Sequence, residues 1–136
     1  MVVEKICQSN KVLALFIRQE SIDDGLKFFT SYEYALQVGQ HKYPQGKIIK
    51  PHVHCPVKQE RLASLQEVLY IQKGKVKTTF YTEDGRKIDT KILQAGDILL
   101  LMEGGHGFEF LEKTQMLEIK QGPYNPESRR NLEVKD

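Results

Sequence analysis

The sequence predicts an all-β domain, a small antiparallel barrel or jelly roll preceded by a short strand and a short helix. Three observations predict it. From Ala35 onward, short β-rich runs alternate with turn signals at regular intervals. No helical crossover stands between those runs, which favours antiparallel strands over a parallel α/β layout. The 136 residues, 40% apolar and 28% charged, are one domain's worth of chain and can bury a core without cross-links.

Taken in order, Val12–Arg18 opens on an unbroken apolar run suited to a buried strand. Ser21 followed by Asp24 resembles a capping box, and Ile22, Leu26 and Phe29 then recur at helical spacing. A short helix is expected there, with Gly25 weakening its interior. Turn signals fall at Pro44-Gln45-Gly46, Lys73-Gly74, Glu83-Asp84-Gly85, Ala95-Gly96-Asp97, Gly104-Gly105 and Gly122-Pro123. Between them strands are expected over 47–54, 65–72, 75–82, 86–94, 97–102, 107–111 and 115–121. Lys73-Gly74 and Asp84-Gly85 read as hairpin turns. The stretch 55–64 interrupts the strands, and its Glu60–Ala63 segment suits one helical turn or a loose loop. The expected organisation is one domain: an extension over 1–34, the barrel over 35–121 and a polar tail over 122–136.

Charge narrows the function classes. A net charge of +2 with lysines spread along the chain gives no nucleic-acid footprint, and Ser128-Arg129-Arg130 reads as a solvated tail. The longest apolar runs, at 12–17 and 98–102, are too short to span a bilayer, so no membrane partner is expected. The opening MVVEKICQSN carries no export signal, so a cytoplasmic location is expected, with Cys7 and Cys55 as reduced thiols.

The residues that could carry chemistry are histidines and a carboxylate. His52 and His54 stand two apart on an expected strand, where alternation puts both on one face with Ile48 and Lys50. Two imidazoles on one face suit a chelate for a divalent ion. They suit equally a surface pair or histidines hydrogen-bonded in a loop. Glu67 shares a face with Leu65, Leu69 and Ile71, where a buried carboxylate needs a partner or a metal. The opposite reading turns that face to solvent and sends Gln66, Val68, Tyr70 and Gln72 inward. His106 follows two glycines and shares a face with Phe108 and Phe110; it suits a ligand position or a satisfied core histidine. Lys50 could meet an anionic group, and Arg61 and Gln66 could line an entrance. Tyr70 and Tyr81 read as packing or subunit-interface residues, Tyr124 as a cover for the barrel end, and His41 as structural. Strand alternation turns Cys55 away from the metal.

At this point a family pattern emerges. Gly46-x5-His52-x-His54 with Glu67-x6-Gly74 resembles the first motif of the cupin family, and Gly96 with Gly104-Gly105-His106 resembles the second. The resemblance covers roughly residues 35 to 121. It implies that His52, His54, Glu67 and His106 hold one divalent metal ion (Fe, Mn, Ni or Zn) inside a barrel, and that the protein is a homodimer. The stretch 104–124 is also similar to a group of small, largely uncharacterised prokaryotic cupin proteins. Two departures stand out. Twelve residues separate His54 from Glu67, more than the family pattern places there, which makes Glu60 a rival ligand. The second motif is one residue shorter than usual and carries Phe110 where the family has an asparagine.

Two functions follow as expectations. One is a metal-dependent cupin acting on a compact polar metabolite, a sugar or a carboxylate, as an isomerase, epimerase or dioxygenase. The other is a non-catalytic binding or sensor module that uses the same barrel. Catalytic residues beyond the ligands are not identified, and Lys50, Arg61, Phe108 and Phe110 are the substrate-pocket candidates. The apolar strand in the extension also suggests an edge seeking a partner chain.

Overall fold

The structure is a computed structural model and describes residues 3–18, 24–31, 34–52, 66–121 and 130–135. The chain divides into two compact units, Met1–Glu20 with Ser64–Asp136, and Ser21–Ala63. The described residues are all-β: ten strands, every strand pairing antiparallel, and no helix. No helix among them is therefore long and apolar enough to cross a membrane.

The larger unit holds eight of the strands: β1 (Val3–Gln8), β2 (Lys11–Ile17), β5 (Glu67–Lys73), β6 (Lys75–Tyr81), β7 (Lys87–Gln94), β8 (Ile98–Leu101), β9 (Gly105–Phe110) and β10 (Gln115–Lys120). They form a five-stranded sheet in the order β1-β2-β8-β5-β10 and a three-stranded sheet in the order β7-β6-β9. The two sheets share one core. Ile6, Ala14, Phe16, Leu69, Ile71, Leu99 and Leu101 come from the first, and Val76, Phe80 and Leu93 from the second. Ile88, Phe108 and Met116 pack against that cluster. The alternation behind it is the period-2 pattern of half-buried strands: in β6 Val76, Thr78 and Phe80 are buried while Lys75, Lys77, Thr79 and Tyr81 are half-buried.

Three sequence expectations change. The described strands lie in separate sheets rather than in one closed barrel. Where a helix was expected after Ser21, Gly25–Phe28 is strand β3, paired with β4 (Gly39–Lys42) in the smaller unit. Leu26 stands opposite His41 and Phe28 opposite Gly39, and a φ of 116° at Gly25 is incompatible with a helix. Ser21 itself lies outside the described residues. The third change concerns 47–54: through His52 this stretch is exposed and forms no strand. Pro51 has no N–H for a ladder, and the His52 Nδ1 lies 2.9 Å from the Lys50 carbonyl oxygen, a local contact in place of cross-strand pairing.

Two further findings bear on the site. Lys73-Gly74 is not a hairpin turn. β5 and β6 belong to different sheets, and together with β9 and β10 they form one long ribbon, Lys73 opposite Gln115 and Val76 opposite Phe110, that bends at Gly74 and 111–114. Asp84-Gly85 does close a hairpin, β6 to β7. The apolar strand of the extension already has its partners. β2 lies between β1 and β8, so it presents no open edge to a second chain. β1 went unforeseen in the sequence; its signal is the two-residue turn Ser9-Asn10, where Ser9 takes a φ of 52°.

Candidate metal centre

Glu67 is the first residue of β5 and stands opposite Leu101 on one side and Lys120 on the other. Directly opposed residues share a face, so Glu67 lies on the inner face with Leu101, Leu69 and Ile71. The outer set, Val68, Tyr70 and Gln72, is half-buried or exposed, so the reading that turned Glu67 outward does not hold. Glu67 as a whole is half-buried.

His106 stands opposite Phe80, Phe108 opposite Thr78 and Phe110 opposite Val76, which places all three on the inner side of the second sheet. Their rings form a ladder: His106 to Phe108 is 5.4 Å between centroids, and Phe108 to Phe110 is 6.4 Å. The water-poor wall expected of them is only partly realised. Phe108 packs on the core, while His106 and Phe110 are exposed, because β9 is an edge strand among the described residues.

The connectivity brings Glu67 and His106 to the same end of the two-sheet unit. Leu101, the neighbour of Glu67, ends β8, and Met102–Gly104 alone carries the chain from there to β9. The opposite end is marked by Ile71, whose N–H donates to the Asp97 carbonyl at 3.0 Å and whose carbonyl accepts from Gly96 N–H at 2.7 Å. A carboxylate on one inner face and an imidazole on the other thus stand at one end of a shared apolar core.

The two lateral edges of this unit differ. On the side of β1 and β7 the Lys91 ammonium bridges Glu4 at 3.3 Å and Asp89 at 3.7 Å, and Arg18 adds a 3.4 Å contact to Glu4. A hydrogen bond from Lys91 holds the Glu4 carboxyl below its usual range; partial burial opposes this, and the Lys91 and Arg18 charges reinforce it. On the side of β9 and β10, Phe110, Leu117 and Ile119 are exposed.

The remaining candidates lie elsewhere. Lys50 and His52 belong to the smaller unit and are exposed. Because 47–52 is not a strand, alternation no longer aligns the two. In the His52 contact the Lys50 carbonyl oxygen can only accept, so Nδ1 is the donor. His54, Glu60 and Arg61 lie outside the described residues. Among the described residues no group of three His, Cys, Asp or Glu side chains forms a metal site. Gln66, expected at an entrance, is buried, and its N–H donates to the Gln121 side chain at 2.9 Å. Cys7 is free and exposed.

Two features escaped the sequence reading. Thr78 is fully buried, and its hydroxyl has no hydrogen-bond partner among the described residues. The alternation Val76-Thr78-Phe80 was the signal for it. Lys120 stands directly opposite Glu67 on the inner side, legible only once the β5–β10 register is known.

The donor chemistry fits the expected ion in part: a carboxylate and an imidazole at one end of the larger unit are donors that a borderline divalent ion takes. Comparison with known proteins adds no identification, since no family model, no curated protein and no solved structure matches the chain.

Proposed function

We propose that this protein is a small cupin-type metalloprotein that binds one divalent ion through His52, His54, Glu67 and His106 and uses it to hold a compact polar metabolite. The observation that carries this reading is Glu67. It shares the inner face of its sheet with Leu69, Ile71 and Leu101, at the end of the larger unit that also carries His106, so a carboxylate and an imidazole stand at one end of a shared core. The motif spacing supplies the other two donors.

The bound ion would act as a Lewis acid toward a sugar hydroxyl or carboxylate, or as a site for oxygen chemistry. The chain's own residues have separate tasks. His106 and Glu67 set the donors on opposite inner faces, and Phe108 and Phe110 offer apolar surface beside His106. Those rings also favour the second reading, a non-catalytic binding or sensor module. The inner side of β9 provides aromatic surface and no further acid or base beyond His106.

Metal content after reconstitution with Fe(II), Mn(II), Ni(II) and Zn(II) tests the proposal. Near-stoichiometric ion in the wild type and in Glu60→Ala, lost in Glu67→Ala and His52→Ala, is the expected result. A wild type that retains no ion refutes it. Loss in Glu60→Ala with retention in Glu67→Ala moves the ligand to Glu60.

A further inference from the structure

The segment Arg130–Lys135 lies across the end of the larger unit that carries His106. Lys135 N–H donates to the Gly85 carbonyl at 2.9 Å, and Lys135 forms a parallel bridge with Arg86. The Arg130 guanidinium reaches the Glu83 carbonyl at 3.4 Å, and the Lys135 ammonium lies 3.8 Å from Asp84. Two glycines form the seat. A side chain at Gly85 would run into the Glu133 carbonyl oxygen, and a methyl at Gly105 would stand 2.6 Å from Leu132 Cδ2.

Gly105 is the informative one. Unlike Gly85 and Gly104 it has no positive φ, so its backbone does not demand glycine. What its missing side chain provides is room for Leu132. Gly105 is the first residue of β9, and the next residue is His106. Resting on the metal reading above, we infer that Leu132 is a positioning residue for His106: the segment clamps the start of β9 through the Leu132–Gly105 contact and holds the imidazole ready for the ion. His106 itself is exposed on β9, which pairs with β6. Leu132 adds a contact to the backbone of the residue before it.

The full chain is compared with Leu132→Ala, Leu132→Met and a control, Met116→Ala, which thins the same core from β10. Amide exchange at Gly105, His106 and Gly107 is read without metal, and Zn(II) affinity by titration calorimetry. Leu132→Ala should speed exchange at those three amides by roughly tenfold and weaken Zn(II) by a similar factor. Leu132→Met should restore both, and Met116→Ala should lower stability while leaving both near wild type. Unchanged exchange in Leu132→Ala overturns the inference even if the protein binds zinc. A wild type that binds no zinc defeats the metal reading and with it the ligand-positioning role, while the exchange result still reports whether Leu132 clamps β9. Equal effects from Met116→Ala and Leu132→Ala would reduce Leu132 to general packing and overturn the inference too.

Discussion

Lys91 Nζ lies 3.3 Å from Glu4 Oε2 and ties the edge strand β7 of one sheet to the edge strand β1 of the other. Both side chains are about one-third exposed, so water screens the pair and its worth is modest. The sign of its pH dependence is fixed. A carboxyl held below its ordinary value of 4.5 adds stability above that value, and the contribution is lost as pH falls through the depressed one. Glu4→Gln should therefore cost no more than about 1 kcal/mol at neutral pH. Urea unfolding of both proteins as a function of pH should show the gap closing as pH falls below 4.5. A gap that stays constant would mean that Glu4 acts through packing and not through charge.

Thr78 gives the opposite expectation. Its hydroxyl is buried among Val76, Phe80 and Phe108 with no partner among the described residues. An unpaired buried hydroxyl costs free energy that an isosteric methyl does not. Thr78→Val should stabilise the protein by about 1–2 kcal/mol. A drop in the thermal midpoint would show that the hydroxyl is hydrogen-bonded after all, to an internal water or to a bound molecule.

The seat of Arg130–Lys135 can be separated from simple backbone strain. Gly46 and Gly85 have similar positive φ values, 87° and 96°, but a methyl at Gly46 would meet nothing within 4 Å while one at Gly85 would strike the Glu133 backbone. Gly46→Ala should cost about 1 kcal/mol for the backbone conformation alone. Gly85→Ala should cost clearly more, and deletion of residues 130–136 should remove the excess. Equal costs for the two substitutions would mean that the segment does not press on Gly85.

How much of this was legible in the sequence follows from where the information sits. Alternation identified β5 and its inner face correctly, because Leu69 and Ile71 have an unambiguous period of two. It placed Phe108 on the core for the same reason. The failures are places where local pattern and tertiary pairing disagree. Ile22, Leu26 and Phe29 fit a helical period, yet Leu26 and Phe28 sit on a hairpin strand, and the φ of Gly25 decides against the helix. Lys73-Gly74 has the composition of a hairpin turn, but the strands it joins pair with β10 and β9, a choice made by contacts more than 30 residues away. The opposition of Glu67 and Lys120 was hidden likewise, since register between distant strands leaves no mark on either one.

That opposition sets the most discriminating test of Glu67. A glutamate facing a lysine across a strand pair is a common stabilising arrangement worth at most about 1 kcal/mol, and it needs no metal. The two roles give different patterns. If Glu67 serves only as the partner of Lys120, Glu67→Gln and Lys120→Gln lower the thermal midpoint alike, and added Zn(II) or Ni(II) changes neither variant nor the wild type. If Glu67 is a ligand, metal raises the midpoint of the wild type and of Lys120→Gln, and that rise disappears in Glu67→Gln and His106→Ala. The second pattern is expected. Removing the ammonium beside a metal-binding carboxylate also removes a competing cation, so Lys120→Gln should bind the ion at least as tightly as the wild type. Thermal unfolding of the four proteins with and without each metal decides the matter, and a midpoint in Lys120→Gln that no longer responds to metal would assign the response to Lys120 and count against Glu67 as a ligand.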